Sequence, residues 1–225
     1  METPTNEIKL LIVEDNVAES INAQTEAFSL GFREVSTATN LSEAQRYLPQ
    51  VQAVASDLFF PAGEVSTDQY VQRFSLIYEA FKKRRFTPIE KDNIVLRALE
   101  HNAEIFGVTP KRYVEEIMVN LNSPQSLIKD ARDAIAGIND SEKYEQFLKI
   151  EQDVRAGKNL PLGIIVAEQA TASGLECVIV TSTHHHDLAF EPIKNLLRGP
   201  YVDILRGDQK RWDLGFAQLV SGGIK

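Results

Sequence analysis

Short apolar stretches alternate with helical patterns along this chain, and the alternation is broken once, by residues 63–158, which read as helix almost throughout. Ile8–Val13 is apolar save for Lys9 and short enough for a parallel strand buried on both faces. Asn16 to Leu30 carries apolar residues at helical spacing (Ile21, Ala23, Phe28) and stops at Gly31. Glu34–Ala38 is a second strand. Asn40-Leu41-Ser42-Glu43 has the form of a capping box before a helix to about Leu48, and Val51–Ser56 is a third strand. This β-α-β-α-β order implies a parallel sheet with helices on both faces. After the break, Leu162–Thr171 is a helix, Cys177–Val180 a strand, Leu188–Leu197 a helix, Val202–Leu205 a strand and Lys210–Val220 a last helix. Together the outer pieces give five strands and five helices. They predict an α/β, flavodoxin-like five-stranded parallel sheet of order 2-1-3-4-5, formed by residues 1–62 plus 159–225.

In the middle segment, Tyr70, Phe74, Ile77, Tyr78 and Phe81 fall on one helical face. Thr87-Pro88, Thr109-Pro110 and Ser123-Pro124 place a cap before a Pro at the first helical position, and Asn139 with Glu142 begins another helix. About five amphipathic helices result, enough for a small bundle inserted at 63–158. That segment holds 15 Lys+Arg against 16 Asp+Glu, leaving 9 against 16 outside it, so the net charge of -8 lies almost wholly in the α/β part. An acidic chain repels phosphate backbones, which disfavours nucleic acid as a partner. A single cysteine, Cys177, excludes an internal disulfide and fits a reducing compartment. No apolar run approaches the roughly 20 residues of a membrane helix, and Met1–Glu7 lacks the build of a signal peptide. The expectation is a cytoplasmic protein.

In a parallel sheet the carboxyl ends of all strands lie on one edge. Glu14 and Asp15 follow the first strand, Asp57 ends the third, Thr181 and Ser182 end the fourth, and Arg206 ends the fifth. Three acids in one pocket repel one another unless a divalent cation sits among them. Oxygen-only ligands of this kind favour Mg2+. A carboxylate beside such a cation can act as nucleophile and form an acyl phosphate.

Four motifs, in order, carry a family resemblance over a little more than half the chain. Leu10-Leu11-Ile12-Val13-Glu14-Asp15-Asn16 resembles the first strand and acidic pair of bacterial two-component response-regulator receiver domains. Asp57-Leu58-Phe59-Phe60-Pro61 resembles the phosphoacceptor motif, Val178–Ser182 the fourth strand with its switch hydroxyl, and Gly199–Arg206 the fifth strand. Gly163 resembles the glycine that opens the third helix, but lies far from Pro61 in sequence, so the helical insertion falls between them. The resemblance implies that Asp57 accepts phosphate from a histidine kinase or phosphotransfer protein. It implies that Glu14, Asp15, Asp57 and the backbone carbonyl of Phe59 hold Mg2+, and that Thr181 and Arg206 bond the phosphoryl group. Output to a downstream protein target would run through the strand 4–5 face or the insert, and a homodimer is allowed. No enzyme activity beyond self-phosphorylation and self-dephosphorylation is implied.

Arg206 stands where the family has Lys, Gly207 where it has Pro, and Asp203 where an aromatic residue is expected. An Arg does not replace a Lys freely; Lys210 is the other available cation, about four residues late. These departures keep a second reading open, a non-phosphorylated pseudo-receiver that acts as a protein-binding scaffold. A third, an Asp-nucleophile phosphohydrolase, wants a second Asp where Phe59 stands. His184-His185-His186-Asp187 and His101 are read as solvated residues, and Lys82-Lys83-Arg84-Arg85 as a helix C-terminus favoured by the dipole.

Overall fold

A computed structural model of the protein describes residues 7–85, 94–183, 187–197, 200–202 and 210–221, with backbone alone at 84, 94–96, 134 and 136–142. Five strands, β1 (Lys9–Val13), β2 (Glu34–Ala38), β3 (Ala53–Ser56), β4 (Glu176–Val180) and β5 (Tyr201–Val202), form one parallel sheet of order β2-β1-β3-β4-β5. This is the flavodoxin-like α/β arrangement that the alternation predicts. The central strands are buried on both faces, which explains their unbroken apolar sequences. On one face Leu10, Ile12, Ala53, Ala55, Val178 and Val180 pack against α1 (Val17–Ser29) and α8 (Trp212–Ser221) through Ala23, Ala27, Trp212, Phe216 and Leu219. The α2 helix (Leu41–Tyr47) and α7 (Leu162–Ala172) pack against each other and α7 against β3 and β4.

The caps act as their residue types require. The Asn16 side chain accepts from the N–H groups of Ala18 and Glu19 at 3.0 and 3.2 Å. Asn40 accepts from Glu43 N–H at 2.9 Å, while Glu43 reaches back one residue beyond the cap, to the N–H and hydroxyl of Thr39.

The chain divides into two compact units. One runs through Ala80 and resumes at Ile150; the other is Phe81–Lys149. The seam therefore lies inside two helices, α3 (Asp68–Arg85) and α6 (Gln125–Arg155), rather than in loops near 63 and 158. The expected helix start at Asn139 is absent: α6 runs through it for 31 residues. The second unit otherwise holds α4 (Ile94–Ile105) and α5 (Pro110–Arg112), which continues as a π-helix over Tyr113–Met118. Leu99, Val114, Met118 and Ala131 form its core, and Phe81 and Phe147 pack at 5.4 Å. The expected Thr87-Pro88 helix start lies outside the described residues.

A further expectation fails at Leu188–Leu197. The described residues 187–197 form turns and one 3-10 turn, Lys194–Leu196, not an α-helix. Pro192 removes a donor from the middle of the stretch. Asp187 holds the turn with its side chain, accepting from Ala189 N–H at 2.8 Å, and the Tyr78 hydroxyl donates to the Ala189 carbonyl. Phe190 and Ile193 are nevertheless fully buried, so the apolar spacing that suggested a helix marks side chains tucked under a turn.

Gly163 opens α7 where two backbones nearly touch. Its N–H donates to the Leu58 carbonyl at 3.0 Å, and a Cβ there would lie 2.2 Å from the Asp57 carbonyl oxygen and 2.9 Å from Leu58 Cα. The clash is with backbone, which cannot rotate away. Gly163→Ala is therefore expected to destabilise by about 3 kcal/mol, the upper range for overpacking. Gly107→Ala, with a left-handed φ of 63° but nothing within 4 Å, should cost only the strain of that conformation, about 1 kcal/mol. Urea unfolding of the two variants checks the ordering.

Candidate metal centre

Strand register assembles the site. Val13 pairs with Ala38 and Ser56, Ser56 with Ile179, and Val180 with Val202, so the residues that follow β1, β3 and β4 emerge together. Glu14 and Asp57 are fixed by their own backbones: Glu14 N–H donates to Ala38 O at 2.9 Å and Asp57 N–H to Val13 O at 2.8 Å. One carboxylate oxygen from each of Glu14, Asp15 and Asp57 lies within 4.8 Å of the others, a cluster that could hold a metal ion. Glu14 and Asp57 are buried, at 1% and 6% exposure, whereas Asp15 is open to solvent.

A buried ammonium sits beside two of these acids. Lys210 Nζ donates to Glu14 Oε2 and lies 3.0 Å from Asp57 Oδ2. Glu14 Oε1 is held separately, accepting from Asn16 N–H at 3.0 Å. Among the described residues Asp57 Oδ1 is buried and has no hydrogen-bond partner. Such an orphan is costly unless something outside the protein meets it. Lys210 in turn lies 5.8 Å from the Trp212 ring centroid, and Trp212 Nε1 donates to Glu19 at 3.2 Å, so α8 and α1 together brace the cation.

Burial dominates the proton affinities. It pushes the Asp57 carboxyl up to about 6, against the pull of Lys210 and with Glu14 adding to the rise. It raises Glu14 as well, again outweighing Lys210. At Lys210 burial acts downward, but Asp57 and Glu14 together overcome it and the ammonium is held above its ordinary range. Among the described residues one cation thus offsets part of the charge of three acids.

The sequence-derived residues Glu14, Asp15 and Asp57 are brought together. Thr181 ends β4, buried, its hydroxyl oxygen accepting from Thr183 N–H at 3.1 Å. Phe59 follows in the loop after β3 and lines a cavity with Asp15. Arg206, Asp203, Gly207 and the three histidines lie outside the described residues. Among the described residues the cation beside Asp57 is Lys210, which the sequence offered as a replacement for Arg206 about four residues late. His101 is exposed on α4. Cys177 is buried in β4 with its thiol pushed up to about 12 by burial, which makes it a poor nucleophile.

The fold and this edge define the class: an α/β protein with a flavodoxin-like sheet and an acidic cluster at the carboxyl ends of its strands. Compared with protein-family models, curated proteins and solved structures, the chain matches none.

Asp57 binds its proton more tightly folded than unfolded, so that contribution to stability is fully present below pH about 4 and is lost as pH rises through about 6. In EDTA, Asp57→Asn should therefore gain on the wild type between pH 4 and 7, by an amount on the order of 2–3 kcal/mol. Urea unfolding across that range measures the difference; a gap that stays constant with pH would contradict the account.

Proposed function

We propose that the α/β unit is a receiver-like phosphoacceptor. In this reading Asp57 takes a phosphoryl group from a histidine kinase or phosphotransfer protein, and the protein signals to a downstream protein partner. The observation that carries it is the Asp57 carboxylate. One oxygen is engaged by Lys210, while the other, Oδ1, is buried without a partner inside a three-acid cluster.

The donor set fits Mg2+: among the described residues three carboxylates are offset by a single ammonium, and one buried carboxylate oxygen has no partner. Glu14, Asp15 and Asp57 would hold the ion, with the Phe59 carbonyl as a further oxygen ligand. When bound it would neutralise charge on the transferring phosphoryl group. The protein's own residues do the rest. Asp57 supplies the nucleophilic oxygen. Lys210 lowers the charge that gathers at Asp57 and holds the carboxylate in place, while the Thr181 hydroxyl at the end of β4 is the donor expected to meet the phosphoryl group. Lys210, which lies beside Asp57, is a cation of this reading alongside Arg206, which falls outside the described residues. Among the described residues no helix is long and apolar enough to cross a membrane, and a cytoplasmic location goes with the proposal.

A scaffold reading keeps one observation in its favour. The second unit leaves Ile105, Leu121 and Phe106 more than half exposed, at 66%, 66% and 54%, side chains suited to a protein partner.

Beryllium fluoride with Mg2+ separates the two. Trp212 is the single tryptophan, and its contact with Lys210 couples it to the site. Addition of the mimic should change its fluorescence and raise Tm in the wild type and do neither in Asp57→Ala. Lys210→Gln should slow phosphorylation by acetyl phosphate about tenfold or more, as loss of a charge-stabilising group does, with intact mass as the readout. A wild type that neither responds to the mimic nor gains a phosphoryl mass would leave the scaffold.

A further inference from the structure

The α/β unit holds a cavity of about 410 Å³, within the range of small-molecule sites, and Asp57 is not among the residues that line it. Two stretches of chain supply most of the lining. Phe60 and Ala62 come from the loop after β3; Lys158, Leu160 and Leu162 come from the chain that leaves α6 and enters α7. Both stretches are held by backbone bonds. The Pro61 and Ala62 carbonyls accept from Leu41 and Ser42 N–H at 3.0 and 3.1 Å. Gly157, at φ 72°, and Lys158 close α6 by donating to the Val154 and Asp153 carbonyls at 3.0 and 2.7 Å.

The lining combines apolar side chains with donors that lack acceptors. Phe60, Leu160 and Leu162 are buried, at 5%, 2% and 1% exposure. Yet among the described residues the N–H groups of Phe60 and Leu160 donate to no acceptor. Unpaired N–H groups on buried residues are rare and call for an acceptor from outside the chain. Lys158 adds an exposed ammonium. Leu162 is the first residue of α7 and brings the positive end of that helix's dipole. Against these stands one lining acid, Asp15. A ligand that matches this lining has an apolar body and a single negative charge spread over oxygens that accept hydrogen bonds. A second charge would add repulsion from Asp15.

We propose that this cavity is a binding site for a small apolar monocarboxylate. The carboxylate pairs with Lys158 and accepts from the unpaired backbone N–H groups, and the apolar body packs on Phe60, Leu160 and Leu162. Two oxygens let one carboxylate meet an ammonium and an N–H together, and bonds of this charge-assisted kind are the stronger ones. An alcohol of the same shape keeps the apolar contacts and loses the ion pair. A phosphate monoester keeps the ion pair and carries the extra charge that Asp15 opposes. The site is one of binding alone, with no bond made or broken in the ligand. It goes beyond the phosphoacceptor reading and stands independently of it.

The test is a saturation-transfer NMR titration of the full chain, free of Mg2+, with hexanoate and 3-phenylpropionate as probes. Both should bind the wild type saturably. The matching alcohols, 1-hexanol and 3-phenylpropanol, should bind about tenfold more weakly, a difference of about 1.4 kcal/mol, and phenyl phosphate should also bind more weakly than 3-phenylpropionate. Lys158→Gln should weaken the carboxylates about tenfold and leave the alcohols unchanged, while Lys158→Arg retains carboxylate binding. Ala62→Leu, which takes up cavity space, should weaken carboxylates and alcohols alike, with an unchanged far-UV circular dichroism spectrum to show that it folds. Asp57→Asn should bind as the wild type does. A wild type that binds neither carboxylate saturably, or binding indifferent to both Lys158→Gln and Ala62→Leu, would overturn the site. Phenyl phosphate binding more tightly than 3-phenylpropionate would overturn the choice of a singly charged carboxylate. None of these outcomes bears on the response of Asp57 to beryllium fluoride, so the two readings fail separately.

Discussion

Parallel strands deliver their carboxyl ends to one edge, and in this protein that edge gathers Glu14, Asp15 and Asp57. Burying two carboxylates side by side is expensive, because repulsion adds to the loss of hydration. Lys210 meets both of them from the far side of the site, itself almost completely buried. The start of α8 is therefore bound to the ends of β1 and β3 by charge as well as by packing of Trp212 and Phe216 on the sheet. Removing Lys210 would leave the two buried carboxylates uncompensated, at a cost of about 3–5 kcal/mol. Among the described residues three acids stand against one cation, a cluster that could hold a further positive ion.

Gly163 is the second constraint, steric rather than electrostatic. The α7 helix begins where its backbone meets the Asp57 carbonyl, so the segment bearing Asp57 is clamped between β1 on one side and α7 on the other. The insertion enters and leaves on either side of this clamp, between Pro61 and Leu160. It does not disturb the sheet because its first and last helical turns are absorbed into the α/β unit. Arg73 of α3 makes a two-pronged ion pair with Glu168 of α7 at 2.6 and 2.7 Å, a strong geometry. Tyr78, also on α3, holds the turn after β4 through the Ala189 carbonyl. These contacts lie within the α/β unit, where the chain at Gly157–Leu160 also lines a cavity with Asp15.

The first four strands, the first two helix caps, the flavodoxin-like order and the triad Glu14, Asp15, Asp57 were legible in the sequence because each rests on a local signal: an unbroken apolar run, a cap residue, an acid at a strand end; the fifth strand is described only at Tyr201–Val202, and the rest of the expected Val202–Leu205 lies outside the described residues. Gly163 was legible for a similar reason, as a glycine at a helix start. Legibility failed where two local signals competed. Phe190 and Ile193 have helical spacing, yet Pro192 and the Asp187 turn prevail. Asn139 has the look of a cap, yet α6 continues through it, and the cap has no advantage where a helix on both sides is already paid for by packing.

Distance along the chain was the other limit. The choice of Lys210 as the cation beside Asp57, the burial that lifts Asp57 to about 6, and the cavity between Asp15 and Lys158 all join residues that are far apart in sequence. The sequence by itself determined which elements form and that their acidic ends share an edge, since strand direction in a parallel sheet follows from the alternation alone. Only the tertiary structure decided which cation arrives there, which oxygen stays unpaired and what surrounds it, because those depend on how the loops close, and loop closure leaves no periodic trace in the chain.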